Sequence, residues 1–332
     1  MTDQLWDAVV IGGGAAGLSG ALILAQAQCA VLVVDAQQPR NRFDDHMHGY
    51  LGRDGMDPAG LLEAGRAEVE KWGGQFRQAR VESVAPTEQD GMPRFRLSLS
   101  DGSEVVARRL LVATGLVDEL PDVEGLERWW GHEVFHCPYC HGVEIPPEAL
   151  VGVLGAGEDS VAEAHLLLQW AERVLLLTND VLEPGPEDLA GLEARGIDVV
   201  HGKVVRTLAE GDRLTGVVLE DGTEVGLDEL HVCPTVHVRR ELLDQLGVQI
   251  RSEPDDHGLL IPSGDAGGTD VEGVWVAGNV RDCNAQVVDA AAQGLKAAVA
   301  INASLAQERV DEALAAARAS AHGDAAAPTV EA

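Results

Sequence analysis

Asp7-Ala8-Val9-Val10-Ile11-Gly12-Gly13-Gly14-Ala15-Ala16-Gly17 is the stretch that decides the fold. A short apolar strand meets Gly12, Gly14 and Gly17 in G-x-G-x-x-G spacing; residues 18–28 then have helical character, and a second apolar run at 30–34 ends in Asp35. The first glycine permits a tight turn, the second lets backbone amides approach a pyrophosphate, and the third lets the helix pack close to the strand. Ala15 and Ala16 open that helix, whose N-terminus carries the partial positive charge a diphosphate needs. Asp35 is placed to accept ribose hydroxyls. Glycines alone are a weak signal, but strand, glycines, helix, strand and terminal acid within about thirty residues predict a dinucleotide site.

The plan recurs downstream. Residues 150–154 lead into Gly155-Ala156-Gly157-Glu158-Asp159-Ser160, a helix through Trp170 and a strand at 173–177. Ser160 replaces the third glycine, and Thr178-Asn179-Asp180 stands where a ribose or phosphate reader would sit. A small residue still permits close helix packing, so a second Rossmann unit is expected, with Gly155 and Gly157 at its nucleotide turn. Asp101-Gly102 and Asp221-Gly222 each separate two strand-like runs and read as hairpin turns. Near the end, residues 273–279 form a buried strand running into a glycine turn, and residues 287–306 an Ala-rich helix. The predicted fold class is α/β with two Rossmann-like, three-layer nucleotide-binding domains. From about residue 315 the chain is Ala-rich, with Gly and Pro near its end, and is expected to fray.

Between the two glycine turns lies His136-Cys137-Pro138-Tyr139-Cys140-His141-Gly142. Cysteines two residues apart can close a small disulfide, and a thiolate there is stabilised by local dipoles and protonated histidine, so thiol–disulfide exchange is the expected chemistry. A zinc site would need a second ligand pair, and Cys29, Cys233 and Cys283 stand singly. Cys140-His141 also completes the C-x-x-C-H haem pattern, but that chemistry belongs to exported chains and no signal peptide is visible. His46 and His48 lack a third ligand at diagnostic spacing, so no metal is expected. His141 is the expected acid/base, because an imidazole titrates near neutrality; the alternative is that it only caps a turn. Pro138 fixes φ and lacks a donor, which suits the first turn of a short helix. Cys283 reads as a packing residue rather than a third redox thiol.

With 24 Lys+Arg against 55 Asp+Glu the formal charge is −31, which opposes attraction to nucleic acid or anionic lipid. No run of eighteen apolar residues suggests a membrane span. The 332 residues, 45% apolar, suit two domain cores. Five cysteines and no secretory leader suggest a cytoplasmic protein whose disulfide is catalytic.

Four features coincide: the glycine fingerprint at 12–17, Ala113-Thr114-Gly115, a dithiol before a second Rossmann motif, and Val276-Ala277-Gly278-Asn279 with Gln286-Val287 beyond. In order and spacing they resemble the low-molecular-weight thioredoxin reductases over about residues 5–308. The resemblance implies FAD, a discontinuous FAD domain of residues 1–116 and 245–310, an inserted NAD(P)-binding-like domain of residues 117–244 carrying the C-x-x-C, a flexible tail at 311–332 and a homodimer. It also implies that Cys137 exchanges with substrate while Cys140 faces the flavin. Arg40-Asn41 and His46-Met47-His48-Gly49 resemble the family's loop around the flavin, with His48 near the ring.

Within the family the closer likeness is to dithiol oxidases of the gliotoxin and holomycin type. His141 follows the second cysteine where reductases usually place Asp; Thr178-Asn179-Asp180 replaces the His-Arg-Arg that grips the NADPH 2′-phosphate; Gly278-Asn279 replaces Gly-Asp, and Ala285 the Arg before Gln286. Each missing guanidinium is worth about 1.5–3 kcal/mol, so NADPH binding should weaken by orders of magnitude. NADH remains an alternative donor, and a further alternative is a second unit kept as a scaffold. The resemblance therefore implies oxidation of a small dithiol with O2 as acceptor. The alternatives are an NAD(P)H-driven reductase of a thioredoxin-like protein or small disulfide, and a flavin-bearing redox sensor.

Overall fold

The computed structural model describes residues 4–89, 91–253 and 258–325. The first glycine unit builds one large sheet. From its edge inward run Gln75–Gln78, Val31–Asp35, Leu5–Ile11 and Glu104–Val112, all parallel, and Val274–Val276 joins Glu104–Val112 in parallel from the far end of the chain. The antiparallel hairpin of Val81–Gln89 and Met92–Leu99 extends the sheet, and Met92–Leu99 turns into Glu104–Val112 at Asp101-Gly102, where Gly102 has φ +78°. Val9, Val10 and Val33 are fully buried, as expected of strands covered on both faces. Register sets the position of the site. Ile11 pairs with both Val34 and Val112, and Val276 with Val112, so four parallel strands end at one level. Gly12, Ala113 and Ala277 leave the sheet at that edge and Asp35 ends its strand there, where open α/β sheets form their ligand crevice.

The chain leaves this sheet through Leu116–Glu119 and returns through Thr235–Val238, and these two crossings pair as an antiparallel ribbon. Between them lies a second parallel sheet, in the order Asp198–Val200, Arg173–Leu177, Leu150–Leu154, Glu229–His231 and Val134–Phe135. A three-stranded antiparallel sheet, Val204–Glu210, Arg213–Leu219 and Glu224–Gly226, packs beside it and carries the second expected hairpin. The fold is thus α/β with two Rossmann-type units, the first closed by a segment that follows the second.

The C-terminal helix, Val287–Ala325, lies on the first glycine helix, Ala15–Gln26. A Cβ on Gly294 would fall onto the Ala16 carbonyl oxygen, so the two backbones nearly touch. Glu308, 3% exposed, meets Arg94 at 2.8 Å and Arg109 at 2.7 Å and also pairs with Arg108, pinning the helix to the sheet. The helix runs past residue 306 and includes residues 311–325, where the sequence suggests a tail; side chains at 311–319 are exposed, and alanine's strong helix propensity accounts for the extension. Residues 326–332 lie outside the described residues. No helix among the described residues is long and apolar enough to cross a membrane.

Candidate active site

A cavity of about 550 Å3 opens at the strand-end edge of the first sheet. Gly12, Gly14, Ala15, Ala16 and Asp35 line it from the first glycine unit, and Arg40, Asn41 and His48 from the loop that follows. Thr114 and Gly115 enter from the end of the strand Glu104–Val112; Gly278, Asn279, Gln286 and Val287 arrive from the far end of the chain. Cys137, Cys140 and His141 complete the wall. Gly17 stands behind it, where a Cβ would fall onto the Gly12 carbonyl oxygen. Gly155 and Gly157 are not on this wall; the second unit reaches it through Glu163, Leu166, Val232, Cys233 and Pro234.

The first turn fits a dinucleotide such as FAD. Gly12 has φ +106°, and a Cβ there would collide with the Ala113 carbonyl, whereas a Cβ on Gly14 would meet open space. Gly115, at φ +66°, also faces open space, and the buried Thr114 Oγ1 beside it has no hydrogen-bond partner. Asp35 accepts the Gln37 amide at 3.1 Å and pairs with Arg66. Other expected residues serve the wall itself. Arg40 Nε donates to Asp118 at 2.8 Å and Nη1 to the Cys283 carbonyl at 3.0 Å; Asn279 Nδ2 donates to the carbonyls of Asp282, Cys283 and Ala285. Cys283 is half-buried on the cavity wall.

Cys137 and Cys140 are joined as a disulfide, with Cα atoms 5.2 Å apart. Cys137 is the N-cap of the single turn Pro138–His141, Pro138 takes its first position, and the Cys140 amide donates to the Cys137 carbonyl. His141 is 6% exposed and stacks on Phe135 with centroids 4.1 Å apart. Its Nε2 lies 3.5 Å from Asp44 Oδ1, beyond good hydrogen-bonding range, and both ring nitrogens lack a partner. A buried imidazole with free nitrogens beside a disulfide can take up or return a proton. His136, on the other side, is pushed down to about 4 by burial and then by the Arg40 charge, so it is neutral near pH 7. It stacks on Trp130 and lies 3.4 Å from an Arg40 nitrogen.

Sequence reasoning missed Asp44, Asp118 and Glu144. Each sits in a loop or short segment without a motif, and each takes its role from a partner elsewhere in the chain. His48 is on the cavity wall, but its ring nitrogens face Glu144 and Asp54 at 2.9 and 3.3 Å.

At the second turn the polar groups are spent locally. Ser160 Oγ accepts from the Ala156 amide at 3.0 Å, one of the donors a phosphate would use. Thr178 is 3% exposed. Asn179, at φ +53°, accepts from the Val204 amide through Oδ1 at 3.0 Å and donates from Nδ2 to the Gly155 carbonyl at 3.4 Å.

A strand-end crevice with one open glycine turn and a disulfide on the same wall defines a flavin-dependent disulfide oxidoreductase. The pyridine nucleotide-disulphide oxidoreductase family matches residues 6–294, and the chain belongs to that family, whose flavin is FAD. It is similar to HlmI, whose crystal structure superposes with a TM-score of 0.88 at 43% identity, covering 95% of this chain and 97% of the other. It is also similar to the thioredoxin reductase tcpT of Claviceps purpurea (strain 20.1), 30% identical over 84% of this chain and 87% of the relative. The thioredoxin reductase sirT of Leptosphaeria maculans is 29% identical over 90% of this chain and 94% of its own length.

Proposed function

We propose that the protein oxidises a small dithiol to its disulfide through Cys137 and Cys140, with FAD as electron acceptor and O2 as terminal oxidant. The observation that carries this reading is the disulfide on the same cavity wall as the first glycine turn, while the second turn spends Ser160 and Asn179 on its own backbone. The backbone of Gly12, Gly14, Ala15, Ala16 and Gly17 would hold the FAD diphosphate and Asp35 a ribose. Arg40, Asn41, His48, Thr114, Gly115, Gly278, Asn279, Gln286 and Val287 would form the remaining walls.

A substrate thiolate attacks Cys137 Sγ, the Cys137–Cys140 bond breaks, and the bonding pair leaves on Cys140 as thiolate. The second substrate thiolate attacks the mixed disulfide, releasing the cyclic substrate disulfide and the Cys137 thiolate. The two electrons lost by the substrate now reside in the enzyme dithiol. His141 collects a substrate thiol proton through a free ring nitrogen, and Asp44 stabilises the resulting imidazolium. Bound FAD would supply the two-electron acceptor needed to regenerate the disulfide, with O2 as the terminal oxidant taking up two electrons and two protons as hydrogen peroxide.

The reading keeps the units at 1–116 with 245–310 and at 117–244, and the ribbon where the chain crosses between sheets supports an inserted second unit. A cytoplasmic homodimer completes the reading. A second reading, NAD(P)H-driven disulfide reduction, draws on the retained second sheet and the open space at Gly157. Oxygen uptake with a small dithiol and no nucleotide supports the oxidase. Rapid anaerobic bleaching of the flavin by NADPH or NADH, without such uptake, replaces it with the reductase.

A further inference from the structure

The loop after the second strand of the first unit grips the dithiol segment along its length. Phe43 lies so close to Gly131 that a Cβ on that glycine would meet the Phe43 backbone, and Asp44 faces His141. Beyond them, His46 and His48 converge on Glu144, at the end of the short turn Gly142–Glu144 that directly follows the dithiol helix. His46 Nδ1 and His48 Nε2 each lie 2.9 Å from the same Glu144 oxygen, and His48 Nδ1 lies 3.3 Å from Asp54. A neutral imidazole has a single N–H, so His48 can donate to both carboxylates only as imidazolium. The arrangement carries its own proton count.

We propose that Glu144 is a positioning residue for the dithiol: His46 and protonated His48 clasp it, hold the disulfide-bearing turn against the cofactor unit, and release the turn when His48 loses its proton. The functional consequence rests on the proposed exchange at Cys137 and Cys140; the clasp itself joins two parts of the fold whatever the reaction. The hydrogen bond to Glu144 raises His48 above its ordinary 6.5, against the opposing effect of burial. Burial acts to raise Glu144, but its hydrogen bond to His48 and the charges of His46, His48 and His141 hold it below the usual carboxylate range. The clasp is therefore complete from that lowered value up to a pH above 6.5, and opens as pH rises through the raised value of His48. The groups facing it are Asp44, Asp54 and His141, together with Glu229, which burial pushes up to about 7 and which would titrate over the same interval. Opening frees Cys137 for exchange in the pH range where substrate thiolates become abundant.

Hydrogen–deuterium exchange of the segment 137–144 in the FAD-loaded, full-length protein tests this, read from about pH 5.5 to 8.5 and corrected for intrinsic exchange. Wild type should lose about fivefold in protection across the transition, the scale of two partly exposed ion pairs. Glu144→Gln should be weakly protected at every pH, His48→Gln should lose the transition, and Glu229→Gln should keep it in full. A flat wild-type profile overturns the proposal. So does a transition that survives Glu144→Gln but vanishes in Glu229→Gln. Failure of the dithiol oxidase reading shows separately, as no dithiol-dependent oxygen uptake beside an intact exchange profile.

Discussion

The two glycine turns share a backbone plan and differ in what their polar groups do. In the first, Gly12 and Gly17 are crowded positions where only glycine fits, Gly14 faces open space, and Asp35 lines the cavity. In the second, Gly155 is crowded by the Thr178 carbonyl, yet Ser160 holds the Ala156 amide and Asn179 ties the strand end to its neighbours. Helix-to-strand packing makes the same demand in both, so it is preserved in both. Ligand binding needs donors left unpaired, and the second turn has given up one of its amides. A glycine pattern therefore reports the fold more directly than it reports the ligand.

The comparison breaks first at the disulfide, which sides with the first turn. Cys140→Ser should lower dithiol turnover by at least about 10^3-fold while leaving FAD bound, because the exchange needs both sulfurs; oxygen uptake and the flavin spectrum read the two halves of that statement. Loss of flavin together with turnover would put Cys140 in the cofactor's support. Crowded and open positions of the turns separate by two substitutions. Gly17→Ala should cost about 3 kcal/mol and yield protein without FAD, since the added carbon meets backbone rather than a movable side chain. Gly157→Ala, in open space, should stay within about 0.5 kcal/mol of wild type in thermal unfolding. Equal losses would mean that the close approach at Gly17 does not constrain the first turn.

A third distinction is acid sensitivity of the first unit. Burial acts to raise Glu308, but Arg109, Arg94 and Arg108 outweigh it and hold the carboxyl below 4.5. A depressed folded value contributes stability that is present above the unfolded one and is lost as pH falls through the folded one. Glu308→Gln should cost about 3 kcal/mol near neutral pH, from stranding buried guanidinium groups, and should flatten the fall in melting temperature below about pH 4.5. An unchanged acid limb would remove Glu308 from its cause. The smallest effect belongs to Ser160→Gly, which frees the Ala156 amide: nucleotide affinity at the second turn, measured by calorimetry with NADH, should rise about fivefold, the worth of roughly one hydrogen bond. No gain would mean that the second turn lacks a nucleotide site for other reasons.

Much of the first site was legible because backbone geometry dictates it. Gly12, Gly17 and Gly115 answer to conformations and close approaches that other residues resist, and Pro138 and Cys137 to the start of one helical turn. Residues from four separated stretches, Gly14, Thr114, Cys140 and Gly278 among them, meet on one wall. Asp44, Asp118 and Glu144 were not legible, because a lone acid in a loop carries no period or spacing and its partner lies across the ribbon between sheets. The reach of the last helix was misread for a related reason. From residue 309 to 319 its side chains are exposed and no apolar stripe faces the core, so alanine's intrinsic preference is what marks this stretch as helical.

The strand Val274–Val276 completes a sheet begun by Leu5–Ile11, and Gly294 completes a contact begun by Ala16. During synthesis the ribosome must therefore finish the middle unit before the first one can close. The crevice is thus completed by residues that are synthesised well after Cys137 and Cys140. A chain interrupted before residue 274 would therefore carry both sulfurs and lack the strand that closes the first sheet.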